Sequence, residues 1–218
     1  MNILIVDDHA IVRRGLKETL ADILSSDHPA LLLQEAEHAQ EAIDLVQKQR
    51  WDLVLLDLSL PDRSGLEVLR EIKATHHNMP VLALSLQAED HFALRALKAG
   101  ASGFLSKDKG IKEVSAAVQK LLAGGHYISP ELAEHLALEV SHRHTAAKGQ
   151  TSQIHRSLSD RELEILQWIA RGRRLTQIAG HLNLSVKTVS TYRSRILTKL
   201  GMQTTAELIR YAVDQQLT

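Results

Sequence analysis

The stretch DLVLLDLSLPDRSG occupies residues 52–65. Its apolar run Leu53-Val54-Leu55-Leu56 ends on a carboxylate, Asp57, and a turn with Pro61 and Gly65 follows at once. A continuous apolar run of this length reads as a strand covered on both faces, as in a parallel sheet. A charge at the tip of such a strand calls for a reason, and the rest of the chain supplies one.

Short apolar runs alternate with amphipathic stretches through the first 125 residues. The runs are Ile3–Val6, Leu31–Leu33 extending towards Ala36, Leu53–Leu56, Val81–Leu84 and Gly103–Leu105. Helical patterns lie near 10–24, 39–49, 65–74, 88–99 and 111–123. Strand and helix in alternation give βαβ units and a parallel sheet. Five units fit a doubly wound, flavodoxin-like α/β fold with strand order 2-1-3-4-5. Gly124-Gly125 stops the last helix. Residues 129–141 read as a short extra helix with Pro130 at its first position. Residues 142–156, HRHTAAKGQTSQIHR, have almost no apolar content and no period, and read as a flexible linker.

A second module begins at LSDRELEILQWIARG, where Ser159 and Glu162 form a capping box stapled by Leu158 and Leu163. Four helices follow by pattern, near 160–171, 176–182, 186–199 and 204–216, with Asn183-Leu184-Ser185 as a turn and Gly201 as a stop. The expected domains are therefore 1–125, a linker over 126–156, and an all-α module over 157–218.

Charge separates the same two parts. Lys+Arg and Asp+Glu are equal at 26 each, yet residues 1–125 carry 14 basic against 18 acidic residues and residues 157–218 carry 9 against 5. An acidic front and a basic back suggest partners of different charge. Cysteine is absent, which removes disulfides and thiolate metal sites. No apolar run reaches bilayer length, and the N-terminal MNILIVDDHA is too short and too acidic for a signal peptide. The expectation is a soluble, cytoplasmic protein.

Open parallel sheets bind ligands beyond the carboxyl ends of their strands, where the strand order reverses. Strand 1 ends with Asp7-Asp8 and strand 3 with Asp57, and these strands are neighbours in the expected order. Each like-charge pair at about 4 Å repels by roughly 4 kcal/mol at an effective dielectric of 20. A counterion must offset that, and an all-oxygen set selects a hard cation; the expected ion is Mg²⁺. Strand 4 ends on Ser85 and strand 5 runs into Lys107. Three acids, a hydroxyl and an ammonium on one edge make a phosphoryl site: metal and lysine neutralise oxygens while a carboxylate accepts the group. One aspartate after an apolar run is ordinarily a cap, but five such groups on one edge are not. Ser64 with Glu67 reads as a capping box, and His9 and His76-His77 as loop or surface residues.

These residues resemble the receiver domain of bacterial response regulators across residues 1–125. The match lies in VDD (6–8), LLDLSLPDRSG (55–65), ALS (83–85) and GFLSK (103–107). The resemblance implies that Asp57 is the phosphoacceptor. It implies that Asp8, the Asp57 carboxylate and the Ser59 backbone carbonyl hold Mg²⁺, with Asp7 reaching it through water. Ser85 and Lys107 would bind the acyl phosphate. Phe104 stands where the family's switch aromatic stands and would turn inward as Ser85 moves. The family often has a cis proline after this lysine; here Asp108 follows, and both peptide isomers stay open.

In the second module, a helical projection of residues 185–200 places Val189, Tyr192, Ile196 and Leu200 on one side. Lys187, Ser190, Thr191, Ser194 and Thr198 fall opposite, with Arg193, Arg195 and Lys199 on the flanks. Short polar residues in front, cations beside them and an apolar back suit the major groove. The expected DNA contacts are Lys187, Thr188, Ser190, Thr191, Arg193, Ser194, Arg195 and Lys199. Residues 157–217 resemble the LuxR-type helix-turn-helix through LSDRELEIL (158–166), IA (178–179), L-x-LS (182–185), TV (188–189) and KLG (199–201). Leu175-Thr176-Gln177 and Tyr192 depart from that pattern. With the receiver, the chain resembles a NarL/FixJ-class response regulator. That resemblance implies double-stranded DNA and a sensor histidine kinase as partners, and a homodimer on DNA. A regulator indifferent to phosphorylation and an aspartate-nucleophile phosphohydrolase are the competing readings. The latter places a second acid two residues after its nucleophile, where this chain has Ser59.

Overall fold

The computed structural model describes residues 1–85, 90–130, 132–134, 158–182, 184–215 and 217. The chain divides into two compact units, Met1–Ser141 and His142–Thr218.

In the first unit each of five strands is followed by a helix. The strands are β1 (Asn2–Val6), β2 (Leu32–Ala36), β3 (Leu53–Asp57), β4 (Val81–Ser85) and β5 (Gly103–Ser106). The helices are α1 (Ala10–Leu24), α2 (Ala39–Lys48), α3 (Gly65–Thr75), α4 (Asp90–Lys98) and α5 (Ile111–Leu122). All strand pairs are parallel, in the order β2-β1-β3-β4-β5. Residues 3–6, 53–56 and 81–84 are fully or almost fully buried, as continuous apolar runs between two helical layers should be. β2 is different. It sits at the sheet edge with Leu32 exposed and Gln34 and Glu35 half-buried, so its apolar run is interrupted.

Register places the strand tips. Val6 lies beside Leu56, so the residues after Val6 meet Asp57; Asp57 lies beside Leu84, and Ser85 beside Ser106. The turn after β3 is tight. Gly65 N donates to Leu58 O at 2.9 Å, and a Cβ at Gly65 would strike the Asp57 carbonyl oxygen and stand 2.5 Å from Leu58 Cα. Only glycine fits there.

Two expectations change. Ser64 is the N-cap of α3 but makes no side-chain cap bond. Arg63 draws the Glu67 carboxylate to 3.8 Å instead, so the box does not close. No described peptide bond is cis, so Lys107-Asp108 is trans. Of the expected helix at 129–141, residue 130 and residues 132–134 are helical, with Ser129 Oγ accepting from Leu132 N at 3.2 Å. Its remainder and the 142–156 stretch lie outside the described residues. Tyr127 forms a parallel bridge with Gly103, so the chain after α5 runs beside β5.

Among its described residues the second unit has four helices: α6 (Asp160–Ala170), α7 (Leu175–His181), α8 (Val186–Leu200) and α9 (Thr205–Asp214). The capping box of Ser159 and Glu162 is complete, with Ser159 N donating to Glu162 Oε2 at 2.7 Å and Glu162 N to Ser159 Oγ at 3.3 Å. Leu158 and Leu163 are buried around it. Gly201 takes a left-handed φ of 67° and ends α8. Thr204 and Glu207 form a second capping box, at the start of α9.

Candidate functional site

The carboxyl edge of the sheet collects the predicted acids. Asp7 and Asp57 are both 0% exposed and Ser85 is 2% exposed. Each carboxylate is first held by its own turn. His9 N donates to Asp7 Oδ1 at 2.8 Å and Ser59 N to Asp57 Oδ1 at 3.0 Å. That fixes one oxygen of each and leaves the two Oδ2 atoms facing the same ammonium. Lys107 Nζ stands 2.5 Å from Asp7 Oδ2 and 2.7 Å from Asp57 Oδ2. The lysine is delivered by β5, and its backbone N donates to Ser85 O at 2.7 Å. These three charged atoms are otherwise without a hydrogen bond. The pocket thus sets two buried carboxylates against one ammonium, and a net negative charge remains.

Electrostatics follow from that burial. Desolvation pushes the Asp57 carboxyl up to about 6; Lys107 pulls it down, Asp7 pushes it up and the Ser59 N–H pulls it down again. Burial pulls the Lys107 ammonium down, but attraction to Asp57 and Asp7 outweighs it and the net shift is upward. Asp57 therefore carries a proton more readily than a solvated aspartate, and the lysine keeps its charge.

Asp7, Asp8, His9 and Asp57 each offer one ligand atom, and all four atoms lie within 4.8 Å of one another. Asp7 and Asp57 are buried, and their Oδ2 atoms have Lys107 as their partner. The donor set fits a divalent cation. His9 was not expected here. It is the N-cap of α1, half-exposed, with Nδ1 at 2.6 Å from Asp8 Oδ1 and 3.3 Å from Asp7 Oδ1. Its position next to Asp8 at a predicted helix start was the available signal. Arg13 was also missed. Its Nη1 donates to the Asp7 carbonyl at 2.6 Å, and its other contacts are Glu35 and Glu37. Asp62, in the turn after β3, accepts from Ala39 N at 3.0 Å and Gln40 N at 3.3 Å, capping α2 from 23 residues away. No local pattern could show that.

Phe104 differs from expectation. It is already inside, 4% exposed, with its N–H on Tyr127 O at 3.0 Å. An inward swing is not available to a ring that is buried from the start.

In the second unit, Val189, Ile196 and Leu200 of α8 are buried, as are Ile178, Ala179 and Leu182 of the α7 segment. Lys187, Thr191, Ser194, Arg195, Thr198 and Lys199 are exposed, while Thr188, Ser190, Tyr192 and Arg193 are half-buried. Val189, Ile196 and Leu200 form the buried back and Lys187, Thr191, Ser194 and Thr198 the exposed front, as expected, while Ser190 and Tyr192 are not separated. The flanks are not uniform. Lys199 Nζ donates to Glu162 Oε2 at 2.6 Å, tying α8 to α6. Arg193 Nη1 reaches Thr205 Oγ1 of α9 at 3.4 Å. The Arg195 guanidinium lies 5.8 Å from the centre of the Tyr192 ring. Two of the three flanking cations are engaged by helices other than α8.

An acid-edged (βα)5 sheet followed by a four-helix module with a basic, groove-sized helix is the layout of a two-domain response regulator. Residues 3–119 match the response regulator receiver domain, and residues 156–212 match the luxR family of bacterial regulatory proteins. The chain is 33% identical over 217 residues to the response regulator UvrY of Escherichia coli K12, spanning 100% of this chain and 95% of that protein. It is 35% identical over 217 residues to the response regulator GacA of Pseudomonas viridiflava, spanning 98% of this chain and 95% of that one. Its fold is similar to that of RcsB from Salmonella enterica serovar Typhimurium bound to promoter P1flhDC in the presence of the phosphomimetic BeF3⁻. There the TM-score is 0.57 and the identity 25%, with 97% of each chain covered. The chain belongs to the NarL/FixJ class of two-component response regulators. Among the described residues, no helix is long and apolar enough to cross a membrane.

Proposed function

We propose that this protein is a phosphorylation-controlled, DNA-binding transcription regulator with Asp57 as phosphoacceptor. The observation that carries the reading is the pairing of buried Asp57 and Asp7 through Lys107 at the carboxyl edge of the sheet. Asp57 Oδ attacks the phosphorus of a sensor kinase phosphohistidine or of an acyl phosphate. The new O–P bond forms as the bond to the donor breaks, and the donor leaves with the electron pair. Asp7, Asp8, Asp57 and the Ser59 backbone carbonyl would hold Mg²⁺, which neutralises phosphoryl oxygens when bound. Lys107 then exchanges a carboxylate partner for a phosphoryl oxygen, and Ser85 supplies a hydroxyl beside it.

The added charge changes what Ser85 and Lys107 hold, and so biases the β4 and β5 end of the unit. Phe104 follows by repacking in place. The receiver would extend to about residue 125, with a linker to 156 and the DNA-binding module from 157. In that module α8 enters the major groove, with Lys187, Thr188, Ser190, Thr191, Ser194 and Arg195 facing DNA. Arg193 and Lys199 act through the fold. A homodimer would place two α8 helices about one helical turn apart on double-stranded DNA in the cytoplasm.

The test is labelling by acetyl phosphate in Mg²⁺. Wild type is expected to take up one phosphoryl group and Asp57→Asn none. Label persisting on the variant would displace Asp57 from the role. Steady turnover of phosphate esters would replace the regulator by an enzyme.

A further inference from the structure

Three hydroxyl groups on the front of α8 are turned onto their own helix. Thr191 Oγ1 donates to Lys187 O at 3.0 Å, Ser194 Oγ to Ser190 O at 3.1 Å, and Thr198 Oγ1 to Ser194 O at 3.0 Å. Each reaches back four residues to a carbonyl of its own helix. Lys187, Thr191, Ser194 and Thr198 stand at spacings of four, three and four, so they form one exposed stripe. At the head of the helix, Ser185 and Thr188 hydroxyls are 2.8 Å apart and bond to each other, and Ser185 Oγ also accepts from Thr188 N at 3.0 Å.

A hydroxyl has one proton and two lone pairs. With its proton turned onto the helix, it faces a partner only as an acceptor. A threonine in that state also leaves its methyl group as the part free to touch a surface. The middle of the stripe, Thr191, Ser194 and Thr198, thus offers acceptors and methyl groups, and the one donor within the stripe is Lys187 at its head. In the major groove, adenine shows an N6 amino donor and thymine a C5 methyl, so an A·T pair presents both complements together. Cytosine shows an amino group without a methyl. Guanine shows only acceptors, which would meet lone pairs. Swinging one hydroxyl outwards to donate to guanine forfeits its backbone bond, worth about fivefold in a binding constant.

We infer that α8 selects A·T pairs at the centre of each half-site, with the Thr191 and Thr198 methyl groups packed on thymine 5-methyl groups and the hydroxyls of the stripe accepting from adenine amino groups. This rests on the reading that α8 enters the major groove.

The experiment uses the full chain, acetyl phosphate and Mg²⁺. Duplexes retained from random DNA are first selected. In the selected duplex each thymine is then replaced singly by deoxyuridine, which removes only the 5-methyl group. Dissociation constants are read by fluorescence anisotropy at one salt concentration. At one or two thymines per half-site the change is expected to weaken binding about fourfold, the worth of one buried methyl-sized group. Thr191→Ser or Thr198→Ser, which keeps the hydroxyl and drops the protein's methyl, is expected to bind the thymine and uracil duplexes equally at the matching position. Uracil tolerated at every position overturns the inference while leaving DNA binding intact, as does a uracil penalty unchanged in both serine variants. If no duplex is retained, the DNA-binding reading itself fails.

Discussion

The acid pocket and the basic helix carry charge in opposite ways. In the pocket Asp7, Asp57 and the Lys107 side chain are 0–4% exposed, and their charges meet within 3 Å. On α8 the cations are exposed, apart from Arg193, and the two with partners beyond α8 are held by Glu162 and Thr205. Where charges are buried, one charge more or less changes the local energy by several kcal/mol. Where water and salt are present, a single cation contributes little, and only a group of them acting on a polyanion has a large effect. A phosphoryl group placed in the first environment therefore acts as a switch. DNA bound by the second responds as a sum of small terms.

The largest expected effect breaks the pairing in the pocket. Lys107→Met leaves Asp7 and Asp57 facing each other without a cation, and removing one partner of a buried charge set costs about 3–5 kcal/mol. Lys107 has a raised pKa, so its contribution is whole at neutral pH and is lost only as pH climbs beyond the ordinary lysine range. Urea unfolding at pH 8 is expected to show the full loss. At pH 5 the loss shrinks, because one aspartate takes up a proton and the repulsion ends. A loss equal at both pH values would mean that packing, not charge, is what Lys107 supplies.

A smaller effect of opposite sign comes from the nucleophile. With Asp57 at about 6 in the folded protein and near 3.9 unfolded, the folded state binds the proton more tightly. Stability is then greatest below about pH 4 and falls as pH rises through about 6, by up to about 3 kcal/mol. Asp57→Asn removes that term. The variant is expected to be more stable than wild type at pH 7 by up to about that amount, with a flatter profile between pH 4 and 7. Adding Mg²⁺ to wild type is expected to narrow the gap, since a cation favours the ionised form. Coincident pH profiles for the two proteins would show that Asp57 is ionised without strain.

Much of this contrast could be read from the sequence, because both halves depend on periodicity. Apolar runs closed by Asp7, Asp57 and Ser85 put polar groups at strand tips, and parallel topology then makes those tips neighbours. A 3.6-residue period divides Val189, Ile196 and Leu200 from Thr191, Ser194 and Thr198 without any knowledge of α7. What stayed hidden depends on contacts between residues far apart in the chain. Asp62 caps α2 across 23 residues, and Glu162 holds Lys199 across 37. The Ser64 capping box reads well locally and fails because Arg63 competes for Glu67. Phe104 is covered by elements packed on its strand, which a single strand's pattern cannot reveal. His9 was legible in position but not in role, since only the fold folds its imidazole back over Asp8.

The smallest effect separates cations that serve DNA from cations that serve the fold. Arg195 and Lys199 are both exposed on α8, and sequence treats them alike. Lys199, however, is bound to Glu162 at 2.6 Å, and Glu162 is held in its ionised form because Lys199 and the Ser159 groups outweigh its burial. For Lys199 to grip a phosphate it would have to leave a carboxylate that also caps α6. Arg195 lies over the Tyr192 ring, and a guanidinium over an aromatic face keeps its donors free at the edge. Arg195→Ala is therefore expected to lower the slope of log affinity against log salt by roughly 0.9, one phosphate contact. Lys199→Met is expected to leave that slope within about 0.2 of wild type, on the same scale. It lowers thermal stability instead, by an amount that Glu162→Gln largely reproduces and that the double variant does not add to. If the slope falls for Lys199 and not for Arg195, the ion pair opens on DNA, and the division between a charge-paired interior and a charge-spending surface would have to be redrawn along α8.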